Sequence, residues 1–339
     1  MMEEKMETRA AREIVAMMGD KALFSYIPGM EIKTMESDSR SSLDKIACYF
    51  HEEQFAISDL YIGYAVSLYR YTIPKVIAAT IKVFGDLWPQ KHIPKSIDRD
   101  ALRNRMRKMC GMGMLRRVAY DLNGKQIVLY SATPEFAKVI YQSLKIATDS
   151  RPEKDMIPPI EILGHAASSL ITSELMSSPY LKEFNFMPKY WFHDTLYIFN
   201  GKFTHEINGE TFITIVEPLF TRVDTKRFTK EEWNAYLQAR VEALWGYVDL
   251  QEKKQEGRLQ LIIVCEDKDD FKNAGTLICN VFPESYLERI YFTSEGAMKS
   301  GENILKNNLI RITSLAQNES EPSVKRPESV SSLPLYQFF

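Results

Sequence analysis

Residues 98–131 read DRDALRNRMRKMCGMGMLRRVAYDLNGKQIVLYS. On a 3.6-residue wheel through 99–110, Leu102, Met106 and Met109 share one side, as core contacts should. Arg103, Asn104, Arg107 and Lys108 share the other, and Arg99 and Arg105 flank the apolar stripe. Asp98 is placed to cap this helix, and Gly111 and Gly113 to end it. Two strands follow, 114–122 and 125–131, joined by Asn123-Gly124, a pair that tolerates the positive φ of a two-residue hairpin turn. The pattern predicts a basic helix running straight into a hairpin.

The charge of this stretch stands out from the rest. It carries eight basic residues (Arg99, Arg103, Arg105, Arg107, Lys108, Arg116, Arg117, Lys125) against Asp98, Asp100 and Asp121, a net +5 inside a chain of net −2. A polyanion site must therefore come from local clustering, because the chain as a whole is not basic. A major groove admits one helix; a basic outward face neutralises phosphates, and Arg and Asn can read base edges. Arg116, Arg117 and Lys125 on the hairpin would then reach the adjacent backbone as a wing.

Outward from this core, Ser41 or Ser42 suits the cap of a helix to His51, Ser58 the cap of one to Tyr69, and Pro74 the first turn of one to Leu87. A helix from Pro134 to about Ala147 closes the domain. Upstream, residues 1–40 read as a short amphipathic helix, 3–18, and a polar connector, 28–40. Residues 148–159, TDSRPEKDMIPP, are the natural linker.

The second domain is expected over 160–311: a helix at 160–177, a meander of strands at 190–199, 202–207 and 210–220, a long helix at 229–249, a strand at 259–265, a helix at 268–280 and a strand at 289–292. That order predicts an α/β sheet with helices packed on it, and the whole chain a mixed α+β and α/β protein. Trp233, Tyr236 and Trp245 recur at helical spacing and read as core rather than as a base-stacking platform. From 312 the composition turns to Ser, Glu, Pro and Asn, a disordered tail by composition, ending on the apolar octamer SLPLYQFF.

Hydrophobic residues at 45% and charged residues at 26% of 339 are those of globular proteins with real cores. Cys48, Cys110, Cys265 and Cys279 form no C-x-x-C pair and no zinc-ligand spacing, which fits a reducing compartment. No apolar run approaches the ~20 residues that cross a bilayer, and the charged N-terminus lacks the pattern of a signal peptide. A cytoplasmic, membrane-free location is the expectation. There is no phosphate-binding glycine loop, no Rossmann fingerprint and no Ser/His/Asp set.

The segment LRNRMRKMCGMGMLRRV followed by IVLYSATPEFAKVI resembles winged helix-turn-helix proteins over residues 41–147. This domain, followed by one that opens on Gly164-His165 and a Ser/Glu-rich helix, resembles the replication-relaxation family over roughly 41–295. A helix near 74–87 is a departure from that pattern. The αβββαβ order of the second domain is similar to the PD-(D/E)XK nuclease core. There the resemblance implies an Asp on the second strand and a Glu on the third that hold a divalent metal such as Mg2+, with a Lys two residues on. Asp194 and Glu217 fall nearest those positions, and Leu219 stands where the Lys would be.

These readings converge on a double-stranded DNA-binding accessory protein for replication or conjugative transfer of a plasmid or integrative element. It would have no catalytic residue and no cofactor, and would work beside a relaxase or replication initiator, with a homodimer as a candidate assembly. One alternative is a metal-dependent nuclease using Asp194 and Glu217; another is a transcription regulator. In the terminal octamer, Leu333, Leu335, Tyr336, Phe338 and Phe339 are the candidate partner-docking residues, similar in spacing to sliding-clamp-binding peptides.

Overall fold

The structure, a computed structural model, describes residues 23–27, 30–35, 42–52, 55, 57–88, 93, 97–144, 158–223, 225, 227–254, 256–298, 309, 311–314 and 323–325. It is a mixed α/β protein of two compact units. One comprises residues 30–177; the other joins residues up to 29 to residues from 178 onward. The helix expected at 3–18, most of the 148–159 linker and the docking residues of the octamer lie outside the described residues.

Residues 30–177 run β1 (Lys33–Thr34), α1 (Leu43–His51), α2 (Ile57–Leu68), α3 (Pro74–Leu87), α4 (Arg99–Gly111), β2 (Leu115–Leu122), β3 (Lys125–Ala132), α5 (Pro134–Leu144) and α6 (Pro159–Met176). The Asp98 carboxylate accepts from the N–H groups of Asp100 and Ala101, so the cap expected for α4 forms. Asn123 and Gly124 take φ of 52° and 77° and close the β2–β3 hairpin. β1 pairs with the outer edge of β2, and Thr72 pairs with Tyr130 on the opposite edge, that of β3. The helix at 74–87, unmatched in the resemblance, thus follows directly from a residue hydrogen-bonded into the sheet and packs beside α4.

The core of this unit closes at Gly63. A Cβ built there would stand 2.6 Å from the Phe136 ring, so α2 and α5 approach as closely as they do only because no side chain intervenes. Tyr64, Phe84 and Trp88 stack beside this contact, with Tyr64–Phe84 centroids 5.0 Å apart. Helix α6, expected to open the second domain, belongs to this unit instead. Arg70 Nη1 lies 2.7 Å from His165 Nε2, Thr72 donates to Ser169 at 3.2 Å, and the Tyr69 hydroxyl reaches Met176.

The other unit is built on a five-stranded sheet in the order β10-β9-β8-β7-β4. Its strands are β4 (Leu181–Phe186), β7 (Gly201–Ile207), β8 (Glu210–Pro218), β9 (Arg258–Cys265) and β10 (Ile290–Ser294). β4, β7 and β8 form an antiparallel meander; β9 and β10 run parallel to β8. The crossovers are α7 (Lys230–Lys253), opened by a Thr229–Glu232 capping box, and α8 (Lys268–Val281) with the short α9 (Glu284–Leu287). A last turn, α10 (Glu295–Met298), follows β10. The parallel strands are buried almost throughout, hence their unbroken apolar sequence.

Two expectations change here. The stretch 190–199 is not one strand. It is a separate hairpin of β5 (Lys189–Phe192) and β6 (Thr195–Ile198), turned at His193 and Asp194 with φ of 44° and 61°. The first strand of the sheet is instead β4. The tail also holds structure: β11 (Arg311–Ser314) pairs antiparallel with β12 (Ser323–Lys325) past the point where composition alone predicts disorder.

Candidate nucleic-acid interface

Helix α4 turns its core side inward with Leu102, Met106 and Met109 fully buried. On its other side Arg99, Arg103 and Arg107 recur every fourth residue and so form a stripe ~12 Å long at 1.5 Å rise per residue. This stripe is one wall of a cleft of about 320 Å³. The N-terminus of α3, with Ile73, Pro74 and Lys75, forms a second wall, and β3 from Gln126 to Tyr130 a third. The lining holds four cations and no carboxylate. Just outside it, Asp100 lies 3.6 Å from Arg103, but both side chains are largely in water, where such a pair is worth little.

The start of α3 adds to the positive field. Its N-cap is Ile73, which has no side chain able to cap, and Pro74 sits in the first turn, so no side chain of its own satisfies the helix end that faces the cleft. In the lining, burial and the nearby Cys110 thiol push the Tyr130 phenol up, while Arg117, which hydrogen-bonds it, and Arg107 pull it back.

Of the eight residues expected to touch DNA, Arg99, Arg103 and Arg107 are brought together here. Asn104 and Lys108 are exposed on the adjacent face of α4, outside the lining. Lys125 is exposed at the hairpin tip. Arg116 and Arg117 are not at the tip. They pair in register with Ser131 and Tyr130 at the base of the hairpin and are half-buried, because the eight-residue strand starts, not ends, beside α4. Arg105, counted in the basic window, is spent internally: its guanidinium grips Asp59, 2% exposed on α2, and lies over the Phe55 ring at 5.0 Å. Lys75, Gln126 and Tyr130 were missed. The one local signal was a lysine behind a proline at an uncapped helix start.

The candidate metal pair is not assembled. Glu217 is 1% exposed near the end of β8; its Oε1 accepts from Arg240 of α7, and its Oε2 accepts from the Asn200 N–H at 2.9 Å. Asp194 is exposed at the tip of the β5–β6 hairpin, six residues from Asn200, or roughly 20 Å of extended chain. The hairpin folds onto α7, where Tyr190 and Phe192 press on Gly246. Beside Glu217 stand Ile263, its partner on β9, and Asn200, which precedes β7 and donates its N–H to it, and the position two residues on is Leu219, which is buried. Among the described residues no group of three or more His, Cys, Asp and Glu could hold a metal ion.

A second polar cluster lies past the carboxyl ends of β8, β9 and β10, and it is occupied by the chain itself. The Tyr26 N–H donates to Glu266 at 2.7 Å and the Phe24 N–H to Glu295 at 2.9 Å, while Arg222 binds the Tyr26 carbonyl, Glu266 and Asp267. Phe24 and Tyr26 are each 1% exposed. Burial pushes Glu266 up to about 8 despite Arg222, and Asp270 up to about 6.

Comparison with known proteins adds no neighbour: no family model matches the chain, and neither a curated protein nor a solved structure matches it. No helix among the described residues is long and apolar enough to cross a membrane.

Proposed function

We propose that residues 30–177 form a winged helix-turn-helix that binds duplex DNA. In this reading α3 and α4 are the two helices of the motif, Thr72, β3 and β2 its sheet, and the Asn123-Gly124 hairpin its wing. The arginine stripe of α4, set against an uncapped helix start and a hairpin, is the observation that carries it. Cations placed this way neutralise phosphates and fix register, while the exposed Asn104 and Lys108 on the next face of α4 are left for base edges.

The second unit is read as a PD-(D/E)XK-like core on the strength of its meander, its α7 crossover and its parallel β9. The reading gives it no hydrolytic step, because the carboxylate of Glu217 is already held by Arg240 and Asn200. The whole is then an accessory protein of the replication-relaxation type, which marks a site on a mobile element for a relaxase or replication initiator.

The test is a salt-titrated mobility shift. Arg103→Ala with Arg107→Ala should weaken duplex binding and flatten the log–log salt slope by ~1 per lost contact. Binding and slope both unchanged would sink the reading. Cleavage of supercoiled plasmid with Mg2+, abolished by Glu217→Gln, would overturn the non-cleaving assignment.

A further inference from the structure

From the shape and lining of the α3–α4–β3 cleft we infer that it is a binding site for a nucleoside polyphosphate, which displaces DNA by taking the same arginines. The displacement rests on the DNA-binding reading; the binding itself does not.

A duplex offers its phosphates on ridges, and meeting them needs only cations on a surface. Here the cations line a concavity. Arg99, Arg103, Arg107 and Lys75 surround about 320 Å³, the lower end of the size range of small-molecule sites. The remaining surface is not a phosphate surface. Ile73, Pro74, Ile127 and Val128 also line the cleft, an apolar share that a DNA backbone would leave unused. A ligand that joins a charged chain to a flat, weakly polar ring matches both kinds of lining.

The charged half is specific in geometry. The three arginines are spread over ~12 Å of helix axis and can each offer planar, paired donors to a chain of phosphoryl groups. The start of α3 presents the positive end of a 14-residue helix to the same space, without a capping side chain. Tyr130 also lines the cleft, its phenol hydrogen-bonded to Arg117. A bare anion would satisfy the arginines but leave the apolar lining in water; a nucleoside carrying two or three phosphates covers both.

The experiment uses the full chain, calorimetry in the absence of divalent metal, and three probes: ATP, GTP and inorganic tripolyphosphate. The proposal expects at least one nucleotide to bind at sub-millimolar concentration and about tenfold or more tighter than tripolyphosphate. It expects Arg103→Ala and Arg107→Ala each to weaken that binding about tenfold or more. Lys138→Ala, which removes an exposed charge of the same unit from α5, outside the cleft, should leave it within about twofold. The nucleotide should also release a labelled duplex at the concentration that saturates the cleft. Equal affinity for tripolyphosphate and nucleotides would overturn the nucleoside assignment. An equal loss in Lys138→Ala would show mere surface charge and overturn the site. No nucleotide binding, with duplex binding intact, would overturn this inference and leave the DNA reading standing; nucleotide binding without any duplex binding would support the site and remove the displacement.

Discussion

Replacing Arg240 with methionine should be among the most damaging single changes in the second unit. Arg240 is 9% exposed and binds Glu217, which is 1% exposed, and its Nη2 also reaches the Ile198 carbonyl at 3.3 Å. Methionine keeps much of the apolar stem and removes the charge. Glu217 would then keep the Asn200 N–H but lose the cation that binds it, a loss of about 3–5 kcal/mol when one partner of a buried pair is removed. Against a total stability of about 5–15 kcal/mol this is a large fraction. Trp233 and Trp245 lie on the same helix as Arg240, so tryptophan fluorescence in urea reports locally. With a slope of about 2 kcal/mol per molar urea, the midpoint should fall by roughly 1.5–2.5 M. Adding Glu217→Gln to Arg240→Met should recover most of the loss, because the glutamine oxygen still accepts from Asn200 and no charge remains. A shift of Arg240→Met below about 1 kcal/mol, or no recovery in the double variant, would show that the pair does not hold this end of the sheet.

Two further outcomes follow from burial. Glu266 and Asp270 titrate higher in the fold, at about 8 and about 6, than free carboxylates do, so folding takes up protons. Their contribution to stability is full below about pH 4 and is lost as pH rises through about 6 and then about 8; urea midpoints should fall over that window, and Glu266→Gln should flatten the upper part of the fall, whereas a rise would contradict the burial argument. Gly63→Ala should cost about 1–3 kcal/mol by pushing Cβ into the Phe136 and Ile140 side chains, and a thermal melt unchanged within error would mean that α2 and α5 can part without cost.

What the sequence made legible was local. The Asp98 cap and the Asn123-Gly124 turn each depend on two to four adjacent residues, and each appears in the structure. What it hid depended on distant partners. The chain turns at His193-Asp194, residue types only mildly disposed to positive φ, and β5 packs through Tyr190 and Phe192 on Gly246 of α7. β4 lies at an edge with little burial, so it shows no alternation to read. Helix α6 is buried nearly all round, its His165, Ser169 and Thr172 included, so no solvent face in its sequence says which core it joins. The cleft was half visible: a helical wheel gives the arginine stripe, but Lys75 and Gln126 join it only through the Thr72–Tyr130 pairing that sets α3 beside β3.

The same limit explains the misplaced acid, and it yields a last prediction. Reading along the chain, Asp194 is the nearest acid to the expected strand. Across the sheet on the β7 side, Gly201 pairs with Val216, so Asn200, one residue before β7, falls beside Glu217 and donates its N–H to it. Asn200→Asp would therefore restore the pair of acids that the nuclease resemblance implies. It would do so in a place where Asn200 is 7% exposed and one arginine already serves Glu217. Two buried carboxylates sharing one cation cannot both ionise cheaply, so one is pushed up and stays protonated until pH rises through its raised value. Asn200→Asp should thus be nearly neutral for stability at low pH and destabilising at neutral pH, the opposite of a surface acid, with Mg2+ making no difference. Restoration of neutral-pH stability by millimolar Mg2+ would mean that Arg240 yields Glu217 to a metal, and the non-cleaving assignment would have to be abandoned.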